Sequence, residues 1–293
     1  MKFEKTQIFN FEGAFRGLRN PLESWKKSDS FFGILNWEQS QDAREQVVDD
    51  WVGQELQRRE HPIEPYNEEW EELWEKYNNW LWNNECLQGD HDLAVVASLG
   101  PNDLGLAQKL ILAGPEHCKF MRQIFVSVDI TAPIYWWKEF DTYKIGTAAN
   151  STSTMHKLTS KPITMECFEI NDYDEDLYVP RVDQSNSVEG WEDHWHVYSI
   201  WDHLIEACED LRQAINAETN PVTKKALWRE LIRVLPESWL QKRTVTMSYA
   251  NLRNMYFQRR DHKLIEWRCF CDWIKSLPYA GELIMLEDKN ETN

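Results

Sequence analysis

Arginine is the residue type with the clearest chemical meaning in this chain. Its planar guanidinium can donate two parallel, charge-assisted hydrogen bonds to a phosphate or a carboxylate. Between Pro221 and Lys275 twelve Lys and Arg stand against five Asp and Glu, a local net charge of +7 in a chain of net charge −17. Such an island focuses positive potential on a small anion. Arg233 stands just before Leu235-Pro236, where the chain must turn, and Arg259 and Arg260 end a helical stretch that also contains Asn251-Leu252-Arg253-Asn254. Arg233, Arg259 and Arg260 read as an anion site, with an ordinary solvated helix face as the plain alternative.

A second stretch offers neutral donors. Thr131–Lys157 is rich in aromatics, then in hydroxyl and amide residues, and closes on His156. Ser, Thr and Asn compete with the backbone for hydrogen bonds, so the run Asn150 to Thr154 is poor helix interior and suits a loop. Ser151, Ser153 and His156 then present donors to a polar ligand; the plain reading is a surface loop. Ser24 to Ser30 sets hydroxyls beside Lys26 and Lys27 and reads as a surface turn, with a site-lining loop as the alternative. His194-x-His196 with His203 shares a face only on a strand, whereas this region reads as a helix start, so no metal is expected. The six cysteines include no CxxC pair and read as reduced thiols. A Ser–His–Asp arrangement finds no nucleophile-elbow glycines.

The elements that must position these groups follow from periodicity. A charged helix is expected over 38–60, ended by His61-Pro62 and Pro65. Another spans 67–82, where Trp70, Trp74, Tyr77 and Leu81 recur on one face, a stripe expected to be buried within the chain or between subunits. Gly89-Asp90 begins a turn. A helix from Pro101 to about Ala113 takes Asn102 or Asp103 as its N-cap. Ile124, Val126, Val128 and Ile130 alternate with Phe125, Ser127 and Asp129, a strand that Pro133 ends. A helix over Tyr135–Phe140 leads into the polar stretch. Further helices are expected over Trp191–Ala217, about 222–233 and about 262–275, the last turning Leu264, Trp267, Cys271 and Ile274 inward.

Composition bounds the rest. Hydrophobic residues make 42% of the chain and Trp occurs 16 times, enough for a sizeable core in a chain of 293 residues. The net negative charge argues against nonspecific nucleic-acid binding. No apolar run reaches the roughly 20 residues that span a bilayer, and the N-terminal segment lacks the apolar core of a secretory signal, so a cytoplasmic protein is expected. There is no internal repeat and no long linker, so residues 1–293 are expected to form a single domain. It has a helical acidic N-terminal part at about 36–92 and an acidic insertion at about 166–195.

The order of these segments resembles the flavin-dependent thymidylate synthases. That family carries R-H-R-x-x-S-x-N-x-x-S-x-R-Y after a Pro-aromatic segment, a Glu-His pair before it, and R-x-x-L-P, a helix-ending arginine and a glutamate after it. Here Glu116-His117 resembles the Glu-His pair, Pro133-Ile134-Tyr135 the preceding segment, and Asn150 with Ser153 the N-x-x-S. Arg233-Val234-Leu235-Pro236 is similar to R-x-x-L-P, Arg259 or Arg260 to the late arginine, and Glu266 to the glutamate. Thr142-Tyr143-Lys144 stands where the family has R-H-R, and Met155-His156 where it has R-Y.

The resemblance implies an α+β fold, a β-sheet packed by helices, assembled as a homotetramer. It implies binding of a small-molecule nucleotide through Ser151, Ser153, Arg233, Arg259 and Arg260. It assigns Glu116, His117, Tyr143, Lys144, Asn150 and His156 to FAD. The implied reaction is one-carbon transfer to a pyrimidine deoxynucleotide, dUMP to dTMP in type, with reduced FAD; NADPH and methylene-tetrahydrofolate would be co-substrates. The alternative is a non-catalytic nucleotide-binding protein on the same scaffold.

Overall fold

The computed structural model describes residues 1–36, 45, 48–49, 52–53, 56, 67–84, 86–88, 93–153, 157–170, 177–180 and 194–287. The strands are β1 (Lys2–Phe9), β2 (Phe31–Asn36), β3 (Cys86–Gln88), β4 (Leu93–Ser98), β5 (Phe125–Pro133), β6 (Ala148–Ser151), β7 (Tyr178–Pro180), β8 (His194–His196) and β9 (Leu240–Ser248). The helices are α1 (Phe11–Leu18), α2 (Glu68–Asn84), α3 (Pro101–Leu112), α4 (Ile134–Phe140), α5 (Val197–Ala217), α6 (Pro221–Val234), α7 (Tyr249–Arg259) and α8 (Ile265–Lys275). The α+β class expected from the sequence is what the chain adopts. One sheet has the order β1-β5-β9-β6, a second β2-β4-β3, and a third joins β7 to β8. No helix among the described residues is long and apolar enough to cross a membrane.

The chain divides into two compact units. The first is Met1–Glu4, Asp129–Tyr143 and Ala149–Thr244; the second is Lys5–Val128, Lys144–Ala148 and Val245–Asn293. Strands β5 and β9 contribute to both. Thr244 Oγ1 donates to Asp129 Oδ1 at 2.6 Å in the first unit, and Thr246 Oγ1 to Ser127 Oγ at 3.4 Å in the second. Partners rise on one strand as they fall on the other, so the pair is antiparallel. On β5 Val126, Val128 and Ile130 are buried, the expected face.

In the first unit α5 packs on α6. Cys208 and Ile215 of α5 and Leu231 of α6 are buried with Leu158, Ile163, Phe168 and Ile170. Asn220 starts α6, its side chain accepting from Val222 N at 2.9 Å and Thr223 N at 3.3 Å, with Pro221 as the first helical residue. Trp136, Trp137 and Phe140 of α4 are buried together, and Trp137 Nε1 donates to Gln241 O at 3.0 Å.

In the second unit β4 pairs antiparallel with β2 and β3. Helix α8 buries Trp267, Phe270, Cys271 and Ile274, spaced three and four apart. Burial pushes the Cys271 thiol up to about 11.

Several expectations change. Helix α3 is not capped by Asn102 or Asp103. Gly100 holds the N-cap position, and the Asp29 carboxylate accepts from Asn102 N at 2.9 Å and Asp103 N at 3.0 Å. A Cβ on Gly100 would meet Asp29 O at 2.1 Å, so only glycine permits this approach. The Asp103 carboxylate turns inward. It accepts from Arg19 Nε at 2.5 Å, Ser28 Oγ at 2.6 Å, Ser30 N at 3.1 Å and Asp29 N at 3.3 Å. The Ser24–Ser30 segment, read as a surface turn, thus ends in a buried polar cluster.

The helix expected from Trp191 starts at Val197, because His194–His196 is a strand paired with β7. The run Asn150–Thr154, expected as a loop, begins inside β6; Thr152 N donates to Lys242 O at 2.9 Å. Extended pairing satisfies the backbone of a run whose side chains disfavour helix.

Trp70 and Leu73 of α2 are buried with Val48, Val52 and Leu56, and Trp74 packs against them. The Tyr77 and Leu81 side chains, Gly89-Asp90, His156, most of the 38–60 helix and most of the 166–195 insertion lie outside the described residues.

Candidate functional site

The site is built on α7. Its start is fixed by Ser248, whose Oγ accepts from Asn251 N at 3.3 Å, while Asn251 Oδ1 accepts from Ser248 N at 3.1 Å and from the Ser248 hydroxyl at 2.6 Å. Asn251 Nδ2 donates to Ile145 O at 2.7 Å and so ties the segment Lys144–Ala148 to the helix. Gly146 lies in the left-handed region (φ 78°), and a Cβ there would stand 2.9 Å from Asn251 Oδ1. Both facts require glycine at that turn.

One face of α7 carries Leu252, Met255 and Tyr256 into the core. The other carries Ala250, Arg253, Asn254, Phe257 and Gln258, spaced three and four apart. That second face lines a cavity of about 680 Å³ within the second unit. Ile111, Met121, Phe125 and Ile145 supply further apolar wall; Pro115, Cys118 and Arg122 complete it with Gly146, Ser248 and Asn251. No Asp or Glu lines the cavity among the described residues.

Arg253 is the group of chemical interest. Its Nη1 donates to Ile284 O at 2.7 Å, and its Cζ lies 4.7 Å from the centre of the Phe257 ring. Burial lowers its pKa, because the charged form loses water. A guanidinium stays protonated at any ordinary pH, so Arg253 remains a cation at the cavity wall. Asn254 Oδ1 accepts from Gln258 Nε2 at 2.8 Å, which leaves the Asn254 amide to offer its N–H groups.

Several cations of the positive island of residues 221–275 are paired in place. Arg233 Nη1 pairs with Glu230 Oε1 at 2.6 Å on the exposed last turn of α6. Lys242 Nζ sits between Glu4 Oε2 at 2.9 Å and Asp129 Oδ2 at 3.2 Å. Arg243 Nη1 meets Asp141 Oδ1 at 2.7 Å, its Cζ 4.2 Å from the Trp137 ring centre. Arg260 Nη1 meets Glu287 Oε1 at 2.6 Å, and Arg259 lies 4.5 Å from the Trp267 ring centre.

The other residues singled out from the sequence fall in two groups. Glu116 and His117, exposed and 3.7 Å apart, stand between the cavity residues Pro115 and Cys118; Lys144 immediately precedes Ile145, and Arg259 follows Gln258. These four belong to the second unit. Tyr143, Asn150, Ser151, Ser153 and Arg233 belong to the first. Asn150, Ser151 and Ser153 are exposed, and Tyr143 N donates to Phe140 O at 2.9 Å.

Sequence reasoning passed over Arg122, Ser248, Arg253, Asn254, Phe257 and Gln258 as site residues. The available signal was the recurrence of Asn251, Arg253, Asn254 and Gln258 opposite Leu252, Met255 and Tyr256. Among the described residues no group of three or more His, Cys, Asp or Glu is placed to hold a metal.

No family model and no curated protein matches the chain. Among solved structures it is similar to the flavin-dependent thymidylate synthase ThyX from Helicobacter pylori complexed with FAD and dUMP. The identity is 11%, the TM-score 0.49, and the match covers 97% of this chain and 98% of that one. A second structure of that enzyme with FAD and dUMP gives 11% identity and a TM-score of 0.49 over 97% of each chain. A likeness of this degree carries neither activity nor ligand across to this chain.

Proposed function

We propose that the chain binds a pyrimidine deoxynucleotide of the dUMP type and, with reduced FAD, catalyses one-carbon transfer to it. The carrying observation is the cavity along α7, about 680 Å³, with an apolar wall and amide and guanidinium donors on one helix face. Small-molecule sites have this size and this mixture. The ordered resemblance of Glu116-His117, Asn150 with Ser153, and Arg233-Val234-Leu235-Pro236 to the flavin-dependent thymidylate synthases supports the reading.

Ile111, Met121, Phe125, Ile145 and Phe257 suit a flat aromatic ring, so the wall fits a flavin or a pyrimidine. Reduced FAD, when bound, supplies the hydride. The protein contributes binding, orientation and exclusion of water: Asn254 offers N–H groups, Asn251 holds the Ile145–Gly146 turn against the helix, and Phe257 steadies Arg253. NADPH and methylene-tetrahydrofolate are the proposed co-substrates, and a homotetramer in the cytoplasm the proposed setting.

A second reading is a nucleotide-binding protein without flavin chemistry. It is favoured by Thr142-Tyr143-Lys144, which offers one cation where the resembled family has R-H-R. FAD is accordingly expected to bind weakly and to be lost on purification. Titration of the purified chain with dUMP and FAD, followed by calorimetry and flavin fluorescence, tests both readings. Saturable binding of both ligands supports the enzyme. Binding of dUMP alone supports the second reading, and binding of neither overturns both.

A further inference from the structure

We infer that Arg253 and Arg122 form the phosphoryl-binding end of the α7 cavity. This rests on the cavity being the ligand site proposed above.

Three observations carry it. The chain holds 49 Asp and Glu against 32 Lys and Arg, yet the described cavity wall contains two arginines and no acid. Carboxylates elsewhere neutralise neighbouring cations, including Arg260 next to this same helix. Arg253 is partly desolvated and hydrogen-bonds a backbone carbonyl beside an aromatic face; Glu287, paired with Arg260, acts on it only through space. Of its five N–H donors, the bond to Ile284 O uses one. Anchoring at Ile284 and Phe257 restricts its rotamers before any ligand arrives, which lowers the entropic cost of binding.

Asn254 adds N–H donors one residue along, since its carbonyl oxygen is taken by Gln258. The wall thus combines guanidinium and amide donors with apolar side chains. That is complementary to an aromatic ring system bearing a phosphoryl group. Both dUMP and FAD carry one, and the guanidinium fork matches phosphate oxygens in pairs. A purely structural account would have Arg253 serve only to hold the Ile284 carbonyl.

The test uses the full chain, with Arg253→Met to keep the stem packing and Arg122→Gln at an exposed position. Inorganic phosphate, acetate, dUMP, deoxyuridine, FAD and riboflavin are titrated at low and high salt, by calorimetry and thermal shift. Arg253→Met is expected to weaken dUMP or FAD, whichever seats its phosphoryl group here, about ten- to a hundredfold. The matching deoxyuridine or riboflavin should bind as before. Arg122→Gln should weaken the same ligand severalfold without moving the melting temperature. Salt should weaken the phosphorylated ligand alone.

Loss of dUMP or FAD affinity matched by equal loss of deoxyuridine or riboflavin affinity overturns the subsite, as does unchanged binding in both variants. Equal protection by acetate and phosphate overturns it too. If dUMP binds and neither variant changes it or FAD, the nucleotide reading stands and this inference falls. If phosphate protects the wild type but not Arg253→Met while no nucleotide or flavin binds, the subsite stands and the proposed function falls.

Discussion

Replacing Asp103 by Leu should destabilise the second unit more than any other single change at its polar residues. The Asp103 carboxylate is fully buried and accepts from Arg19 Nε, Ser28 Oγ, Ser30 N and Asp29 N. Arg19 is itself 4% exposed, so the substitution leaves a buried guanidinium with Ser24 O but without the Asp103 carboxylate, and removes the acceptor that Asp29 N and Ser30 N share. Removing one member of a buried ion pair costs about 3–5 kcal/mol, because the remaining charge has lost its water and its partner. Stranded N–H groups add to this at about 1–3 kcal/mol each unless water reaches them. Domains are stable by only about 5–15 kcal/mol, so the loss is a large fraction of the whole. With a urea slope of about 2 kcal/mol/M, a loss of 3–5 kcal/mol moves the midpoint down by about 1.5–2.5 M.

The control is the double variant Arg19→Met with Asp103→Leu. Replacing a whole buried pair by apolar groups is often near neutral, so the double variant should be more stable than Asp103→Leu alone. Urea unfolding followed by tryptophan fluorescence and far-ultraviolet circular dichroism reads both. A midpoint shift below about 0.5 M in Asp103→Leu would refute the reasoning. So would a double variant less stable than the single one, since the stranded charge would then not be the cause.

Two further outcomes are expected. The Arg212 guanidinium meets Glu209 at 2.5 and 2.7 Å and, with Ile163 N, holds its carboxyl at about 2, below its ordinary 4.5. A depressed carboxyl pKa contributes stability above the unfolded value, and that contribution disappears as pH falls through the folded value; Glu209→Gln should flatten the fall in melting temperature between about pH 4.5 and 2, and an unchanged slope would count against the pair. Asn251→Ala removes the N3 half of the α7 capping box and the tether to Ile145 O; losing a cap costs about 0.5–2 kcal/mol, so a melt should fall modestly while nucleotide affinity falls more, and intact affinity would show that the Ile145–Gly146 turn does not shape the cavity.

Local patterns along the chain determined most of the described helices but, of the strands, β5 alone. The alternation at Val126, Val128 and Ile130, the spacing of Trp267, Cys271 and Ile274, and Asn220-Pro221 are short-range signals. They specify β5, α8 and the start of α6 because the period of side-chain direction is set by the backbone itself. The choice of α7 as site wall was half legible, since Asn251-Leu252-Arg253-Asn254 shows polar positions at helical spacing.

What no local pattern reveals is which cation keeps its charge unspent. Arg260 looks as suitable as Arg253 in the sequence, yet it meets Glu287, 27 residues away; the Arg233–Glu230 pair, three residues apart on one helix, is by contrast local. Asp103 reads as a helix cap until Asp29, 74 residues away, takes that role and Arg19 draws Asp103 inward. Charge pairing is decided by distances across the fold, and the energy of a buried pair depends on how much water both partners lose. Those two quantities exist only once the chain has folded, so the tertiary structure alone brought Arg253 to the cavity wall as a partly buried cation.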